Sequence, residues 1–433
     1  MVTKISMIGA GSASFGLKTL YDIARSPELH GSTIALIDIN KDRLNLMKKV
    51  ADRLNSHFNS KLKIEKSTRA KDVLDGSEFV IISAEKEKTE RWKIDFQIPF
   101  KHGIKQVIGE CGGPGGLSHT LRVVPLILDI CRDIEDYCRD ALVLNYTNPE
   151  ARVTLAINRY TKLKAFGLCH GIYERLESFS RLFQVKIEDF EPFAAGLNHF
   201  TWLLDLRFRD GTDVYPILDE KLRENPDFEP LCRELYRIFG LYPSPSDNHC
   251  GEYVGYAWEK VPEEVRGMNW IKLVDEWCER VQKTVLSIAE GTYPIDSLAD
   301  MGWYWKTRGM ATKVISAIVE NKRYFEYAVN MLNNGYINNL PQNIIVEVPA
   351  IIDKSGIHGV GVGSLPKAIA NLCSIQGAIQ ELSVEAAFEG SYEKALQALL
   401  LDPVVQNLDE AKATLGELIE VHAPLLPQFK RKA

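Results

Sequence analysis

Side chains able to do chemistry concentrate in a few short stretches. "FGLCHGIYE" sets a thiol beside an imidazole, Cys169 and His170, and "GLNHFTW" adds a second imidazole, His199. Read singly, Cys169 is a buried cysteine and His199 a satisfied core histidine. As two donors at one cleft they form a candidate metal site with open positions, which is what a catalytic ion needs. "SPSDNHCGEYV" offers Asp247, His249, Glu252 and Tyr253 in a turn-rich run. That composition suits a general base or ordinary loop structure.

Two further stretches supply backbone and amide groups. "GECGGPGGLSHTLR", Gly109 to Arg122, reads as a loop with five glycines and a proline. Such a loop makes sharp turns or brings N–H groups close to a ligand. "VLNYTNPEA" ends an apolar run with Asn145, Tyr146, Thr147 and Asn148. Asn148 can cap the following helix, face a ligand at the strand end, or both.

The elements that must position these groups begin with a dinucleotide-type turn, "MIGAGSASFG". Gly9 suits the tight turn, and Gly11 with Ser12 suits the approach of a pyrophosphate. Ser14 stands where a third glycine is usual, with Gly16 two positions late. In "ALIDIN", Asp38 is placed to accept hydrogen bonds from ribose hydroxyls and to repel a 2'-phosphate, favouring NAD over NADP. Ser83 and Ala84, at the end of "VIISA", let a cofactor pass close to the backbone.

Five β-branched runs, at 4–8, 33–37, 79–83, 141–144 and 164–168, alternate with helical patterns, as in a parallel sheet covered on both faces. The expected fold class is α/β: a Rossmann-type doubly wound parallel sheet over residues 1–190. A second, mainly helical α+β domain over 191–433 begins with strands and a hairpin in "FAAGLNHFTWLLDLRFRDG". The chain has 433 residues, 45% of them hydrophobic and 25% charged, with a net charge of -6. Its pI near 5.9 and mean hydropathy of -0.14 argue against nucleic-acid or membrane partners. The basic tail Lys430, Arg431 and Lys432 reads as a solvated end. The eight cysteines show no CxxC spacing. Without a leader-like start, a cytoplasmic location is expected.

"IGAGS", "GGPGGLSHTLRVVP", "NYTNPEA", "CHG", "GLNHFTW", "SDNHCGEY", "NLPQNIIVEVPAII" and "GVGSLP" occur in the order seen in glycoside hydrolase family 4, and the resemblance covers nearly the whole chain. It implies an NAD- and divalent-metal-dependent glycosidase, outside the usual two-carboxylate chemistry. In such enzymes NAD oxidises the C3 hydroxyl, a metal stabilises the enediolate, a base takes the acidified C2 proton, and the hydride later returns. The resemblance assigns Cys169 and His199 to the metal, with manganese the family's ion, although a thiolate and an imidazole suit zinc or iron at least as well. It gives Asp247 as the C2 base with Tyr253 in reserve, and His170 as leaving-group acid or substrate contact. Asn148 is assigned to the sugar hydroxyls, Glu110 and Arg122 to the sugar or nicotinamide side, and His249 to the site or its loop.

"CHGI" resembles the unphosphorylated, α-directed branches. Gly171 favours a uronide, α-glucuronide or α-galacturonide, over an α-glucoside or α-galactoside. The resemblance also implies a homodimer or homotetramer. A net dehydrogenase and a non-catalytic NAD sensor share the opening fold and are the rival readings.

Overall fold

The computed structural model describes residues 2–301 and 309–432, with the side chains of Lys430, Arg431 and Lys432 outside that description. Strands β1 (Lys4–Ile8), β2 (Thr33–Ile37), β3 (Lys63–Ser67), β4 (Phe79–Ile82), β5 (Leu142–Asn145) and β6 (Lys164–Gly167) are parallel. Their order β3-β2-β1-β4-β5-β6 is that of the doubly wound dinucleotide fold. The strands at β1, β2 and β4 are almost fully buried, which matches their unbroken apolar sequence. β3, "KIEKS", has no buried residue because it is the sheet edge, and its charges discourage further pairing.

The sheet continues past β6. Strands β7 (Phe190–Leu197), β8 (Phe200–Phe208), β9 (Tyr242–Ser244), β10 (Tyr324–Leu332) and β11 (Ile345–Asp353) extend it antiparallel in the order β6-β10-β11-β7-β8-β9, and β12 (Gly356–Gly359) pairs with β11. The expected hairpin is β7–β8. β10 and β11, by contrast, fall where helical patterning was expected to run to the end of the chain. Their apolar runs are buried in mid-sheet, where alternation gives way to continuous hydrophobicity.

The register explains how distant segments meet. Ile8, Ile82, Asn145 and Gly167 are successive partners across β1, β4, β5 and β6. The next residues along each strand therefore leave the sheet at one carboxyl-end rim. Gly9 and Leu168 are separated by three strand spacings, about 14 Å, a span suited to an extended cofactor. The same row runs on through Asn330, Glu347 and Gly196, which brings the β7–β8 turn to the rim beside Cys169.

The glycine-rich stretch is mostly not a loop. A helix starts at Gly113 and runs to Cys138, with Pro114 in its first turn, where the missing N–H costs nothing. Its glycines serve close packing: a Cβ on Gly115 would lie 2.4 Å from Gly109 O, and one on Gly116 would lie 2.4 Å from Cys111 C. The preceding residues can thus fold back over the helix start. Among the described residues no helix is long and apolar enough to cross a membrane.

Candidate active site

At the first rim turn, Gly9 has φ +81° and abuts the end of β4, where a Cβ would come within 2.0 Å of Ser83 O. The Gly11 N–H donates to Asp38 Oδ2 at 2.8 Å and the Asn40 N–H to Oδ1 at 2.8 Å, so the carboxylate ties the turn to the end of β2. Asp38 is half-buried, with further lone pairs for a diol. Ser83 Oγ donates to Ser12 Oγ at 3.0 Å. Gly16 does the packing expected of the third glycine: it opens the helix Gly16–Ala24, and a Cβ there would lie 2.2 Å from Ala10 O. The tight backbone, the helix start that follows it and the acidic strand end fit a dinucleotide.

Further along the rim, past β6, β10 and β11, the β7–β8 turn presents Asn198 and His199. His199 has φ +60°, a left-handed conformation that costs a non-glycine residue roughly 1–2 kcal/mol. Glu347 holds the turn in place: its carboxyl group is hydrogen-bonded to Asn198 Nδ2 (3.2 Å), Thr201 Oγ1 (2.5 Å) and Asn330 Nδ2 (2.9 Å). Asn198 also bonds the Cys169 side chain, joining the two segments. His199 is buried and its Nδ1 has no hydrogen-bond partner. Burial first, then His249, pushes its pKa down to about 3, so the imidazole is neutral at pH 7 with a lone pair to offer. Burial pushes the Cys169 thiol well up in the absence of a cation. A neutral imidazole with an orphaned nitrogen, next in sequence to the Asn198 that bonds a thiol, fits a divalent metal, which would favour the thiolate.

Acidic groups surround this pair. Glu110 Oε1 pairs with Lys88 Nζ at 2.8 Å, and despite burial the cation brings its pKa down to about 2. Glu252 Oε1 accepts the N–H groups of Glu110, Cys111 and Gly112 at 2.6, 2.9 and 3.2 Å. Burial and then Glu110 push Glu252 up to about 8. The His249 ring meets His199 edge-on at 4.6 Å, and its Nδ1 is held by Asn248 Oδ1 at 2.8 Å. Tyr253 stacks on Phe200 at 5.3 Å and lines a cavity of about 20 Å³ with Cys111, Asn198 and Arg152. Asn148 is half-buried at the end of β5.

Three expectations change. Asp247 is not placed as a base: its carboxylate accepts the Leu231 and Cys232 N–H groups at 3.2 and 2.8 Å, capping the helix Pro230–Phe239. Burial and then Glu229 push it up to about 6. A carboxyl raised above its unfolded value near 3.8 contributes stability below that pH and loses it as pH rises through 6, roughly 3 kcal/mol in all. Asp247→Asn is therefore expected to flatten this part of the stability–pH curve, measured by thermal melts from pH 4 to 7, with hydrolysis retained within several-fold.

Arg122 does not line the sugar. It forms a bidentate pair with buried Asp95 at 2.9 and 2.5 Å, alongside Ser118, while His422 reaches the same carboxylate at 2.9 Å. Breaking a buried pair leaves an uncompensated charge, so Arg122→Ala should cost about 3–5 kcal/mol of stability. Urea titration reads the loss, with KM unchanged under conditions where the variant is folded. His170, finally, stacks with Tyr146 and Phe15 at 6.1 and 6.0 Å. Burial, then Lys18 and Lys313, lower its pKa to about 3. A pKa that low disfavours an imidazolium acid at neutral pH.

Sequence reasoning missed Lys88, Cys111, Asn198, Arg152 and Glu347. Cys111 lies in the glycine stretch, between Glu110 and Gly112.

Residues 4–184 match the family 4 glycosyl hydrolase profile, and residues 194–405 match the family 4 glycosyl hydrolase C-terminal domain. The chain is 34% identical to an alpha-glucosidase of Erwinia rhapontici, over 99% of this chain and 100% of that one. It is 29% identical to an alpha-galacturonidase of Thermoanaerobacterium saccharolyticum, over 99% and 97%. It superposes with a TM-score of 0.84 on the structure of a 6-phospho-alpha-glucosidase from gut microorganisms in complex with NAD and Mn2+, at 22% identity over 99% and 100% of the two chains. This chain belongs to glycosyl hydrolase family 4 and is a glycosidase.

Proposed function

We propose that the protein hydrolyses an unphosphorylated α-glycoside by way of C2 deprotonation, with residues 1–190 as the NAD unit and 191–433 as the substrate unit. The observation that carries this is the orphaned His199 Nδ1, in the turn whose Asn198 bonds the Cys169 side chain, at the same sheet rim as the Gly9–Asp38 turn. Gly9, Gly11, Ser12, Asp38 and Ser83 would hold NAD, which supplies reversible oxidation at C3 when bound. Cys169 and His199 would hold a divalent metal, manganese in the related complex, which supplies Lewis acidity at the sugar oxygens.

The chain's own groups do the rest. Tyr253, which lines the small cavity with Cys111 and Asn198, takes the C2 proton in place of Asp247, with Arg152 favouring its ionised form. Asn148, Glu110, His249 and His170 contact the sugar. The paired Lys88 keeps Glu110 ionised as an acceptor for sugar hydroxyls.

The sugar we infer is a uronide. A Cβ on Gly171 would sit 3.7 Å from Cys169 Sγ and 3.4 Å from Pro245, so its absence leaves room beside the metal pair at a helix N-terminus, where an anion is favoured. The higher identity to an alpha-glucosidase favours a neutral α-glucoside as the second reading. A panel of p-nitrophenyl α-glucuronide, α-galacturonide, α-glucoside and α-galactoside, with NAD and Mn2+ under reducing conditions, decides between them. A kcat/KM at least tenfold higher for a uronide is expected, and a neutral sugar in first place would overturn the uronide reading. A homodimer or homotetramer is proposed with it, read by light scattering.

A further inference from the structure

Cys111, His199 and Glu252 come from separate segments, yet each offers a ligand atom within 4.8 Å of the other two. They are 4%, 6% and 1% exposed. Among the described residues, His199 Nδ1 and Glu252 Oε2 are buried polar atoms without a hydrogen-bond partner. Leaving both unpaired is costly, and one cation between them would satisfy both.

The surroundings aim these atoms rather than merely bury them. Three successive N–H groups, from Glu110, Cys111 and Gly112, occupy Glu252 Oε1 and leave Oε2 free. A Cβ on Gly112 would lie 2.4 Å from Glu252 O, so the glycine is what allows the Cys111 segment to close on Glu252. On the other side, Glu347 and Asn198 fix the strained turn that carries His199. Residues held in sparsely populated backbone conformations mark places where the surroundings over-determine the geometry.

We propose that Cys111, His199 and Glu252 are ligands of the divalent ion in this chain, adding a thiolate and a carboxylate to the Cys169–His199 pair and shifting its preference from manganese toward zinc, iron(II) or cobalt(II). The inference rests on the metal reading above, with His199 common to both donor sets. With Cys169 the set is two thiolates, one imidazole and one carboxylate, and sulfur donors select softer ions than manganese.

Cobalt(II) loaded into the full-length protein serves as the probe, because thiolate ligation gives sulfur-to-cobalt charge-transfer bands. Cys111→Ser is expected to lose intensity in those bands. Glu252→Gln is expected to weaken cobalt binding by more than the roughly 10–100-fold that removal of an outer-shell partner costs. Circular dichroism of both variants controls for folding, and Cys131→Ser, a buried cysteine away from the site, serves as the reference. Bands unchanged in Cys111→Ser but lost in Cys169→Ser would overturn this inference and leave the Cys169–His199 reading standing. Absence of thiolate bands in the parent protein would overturn both.

Discussion

Cys169→Ser is expected to lower kcat/KM for α-glycoside hydrolysis by about 10³-fold or more. A Lewis-acidic ion contributes several kcal/mol to a transition state that places charge on oxygen, and each 1.36 kcal/mol is a factor of ten. Serine keeps the volume but offers a far weaker donor, so the ion is lost or displaced. His199→Ala should fall as far, because its imidazole is the other proposed donor and no neighbouring side chain bonds its Nδ1. The left-handed backbone at this position persists without the ring, since Glu347 holds Asn198 and Thr201 on either side. Steady-state kinetics at saturating NAD, paired with metal analysis, read both variants. Full activity in either one with less than one equivalent of bound metal would contradict the assignment.

Tyr253→Phe should lower kcat by about 10²–10⁴-fold, the usual worth of a positioned general base, with little change in KM or stability. The ring packing on Phe200 is retained, and the backbone carbonyl of Tyr253 still accepts from Gln376. Burial, then Cys111 and Glu252, raise the phenol well above its ordinary range, while Arg152 opposes them. The rate should therefore climb with pH toward the alkaline side, and Tyr253→Phe should erase that limb. Asp247→Asn should leave it in place. If instead Asp247→Asn removes the limb and Tyr253→Phe does not, the base has been misassigned.

Much of the cofactor half was legible because its strands are short, apolar and buried, and their ends carry the glycine turn and Asp38. β3 escaped notice because an edge strand needs no apolar face, and "KIEKS" shows none. β10 and β11 were hidden for the opposite reason, since strands buried on both faces lose the alternation that separates them from helices. Cys169 and His199 could be named as candidate donors from residue type, but bringing their segments to one rim depends on the row Gly167, Asn330, Glu347, Gly196, which no local pattern encodes. Asp247 and Arg122 show the converse hazard. A polar residue inside a functional stretch can be committed to a helix cap or a buried ion pair, and its partners, Leu231, Cys232 and Asp95, lie far away in sequence.

One feature favours a different chemistry. Glu110 and Glu252 have pKa values pulled apart, to about 2 and about 8, as in a retaining glycosidase that pairs an ionised nucleophile with a protonated acid. Their contacts argue against that use: Glu252 is 1% exposed with Oε1 filled by three backbone donors, and Glu110 is committed to Lys88. The two chemistries differ at the C2 hydrogen, which direct displacement never touches. Hydrolysis in D2O, with mass spectrometry of the released sugar, is the most direct test. C2 deprotonation predicts solvent deuterium at C2 of the product, dependence on both NAD and metal, and no accumulation of NADH. Product that keeps its original C2 hydrogen, formed without NAD, would contradict it.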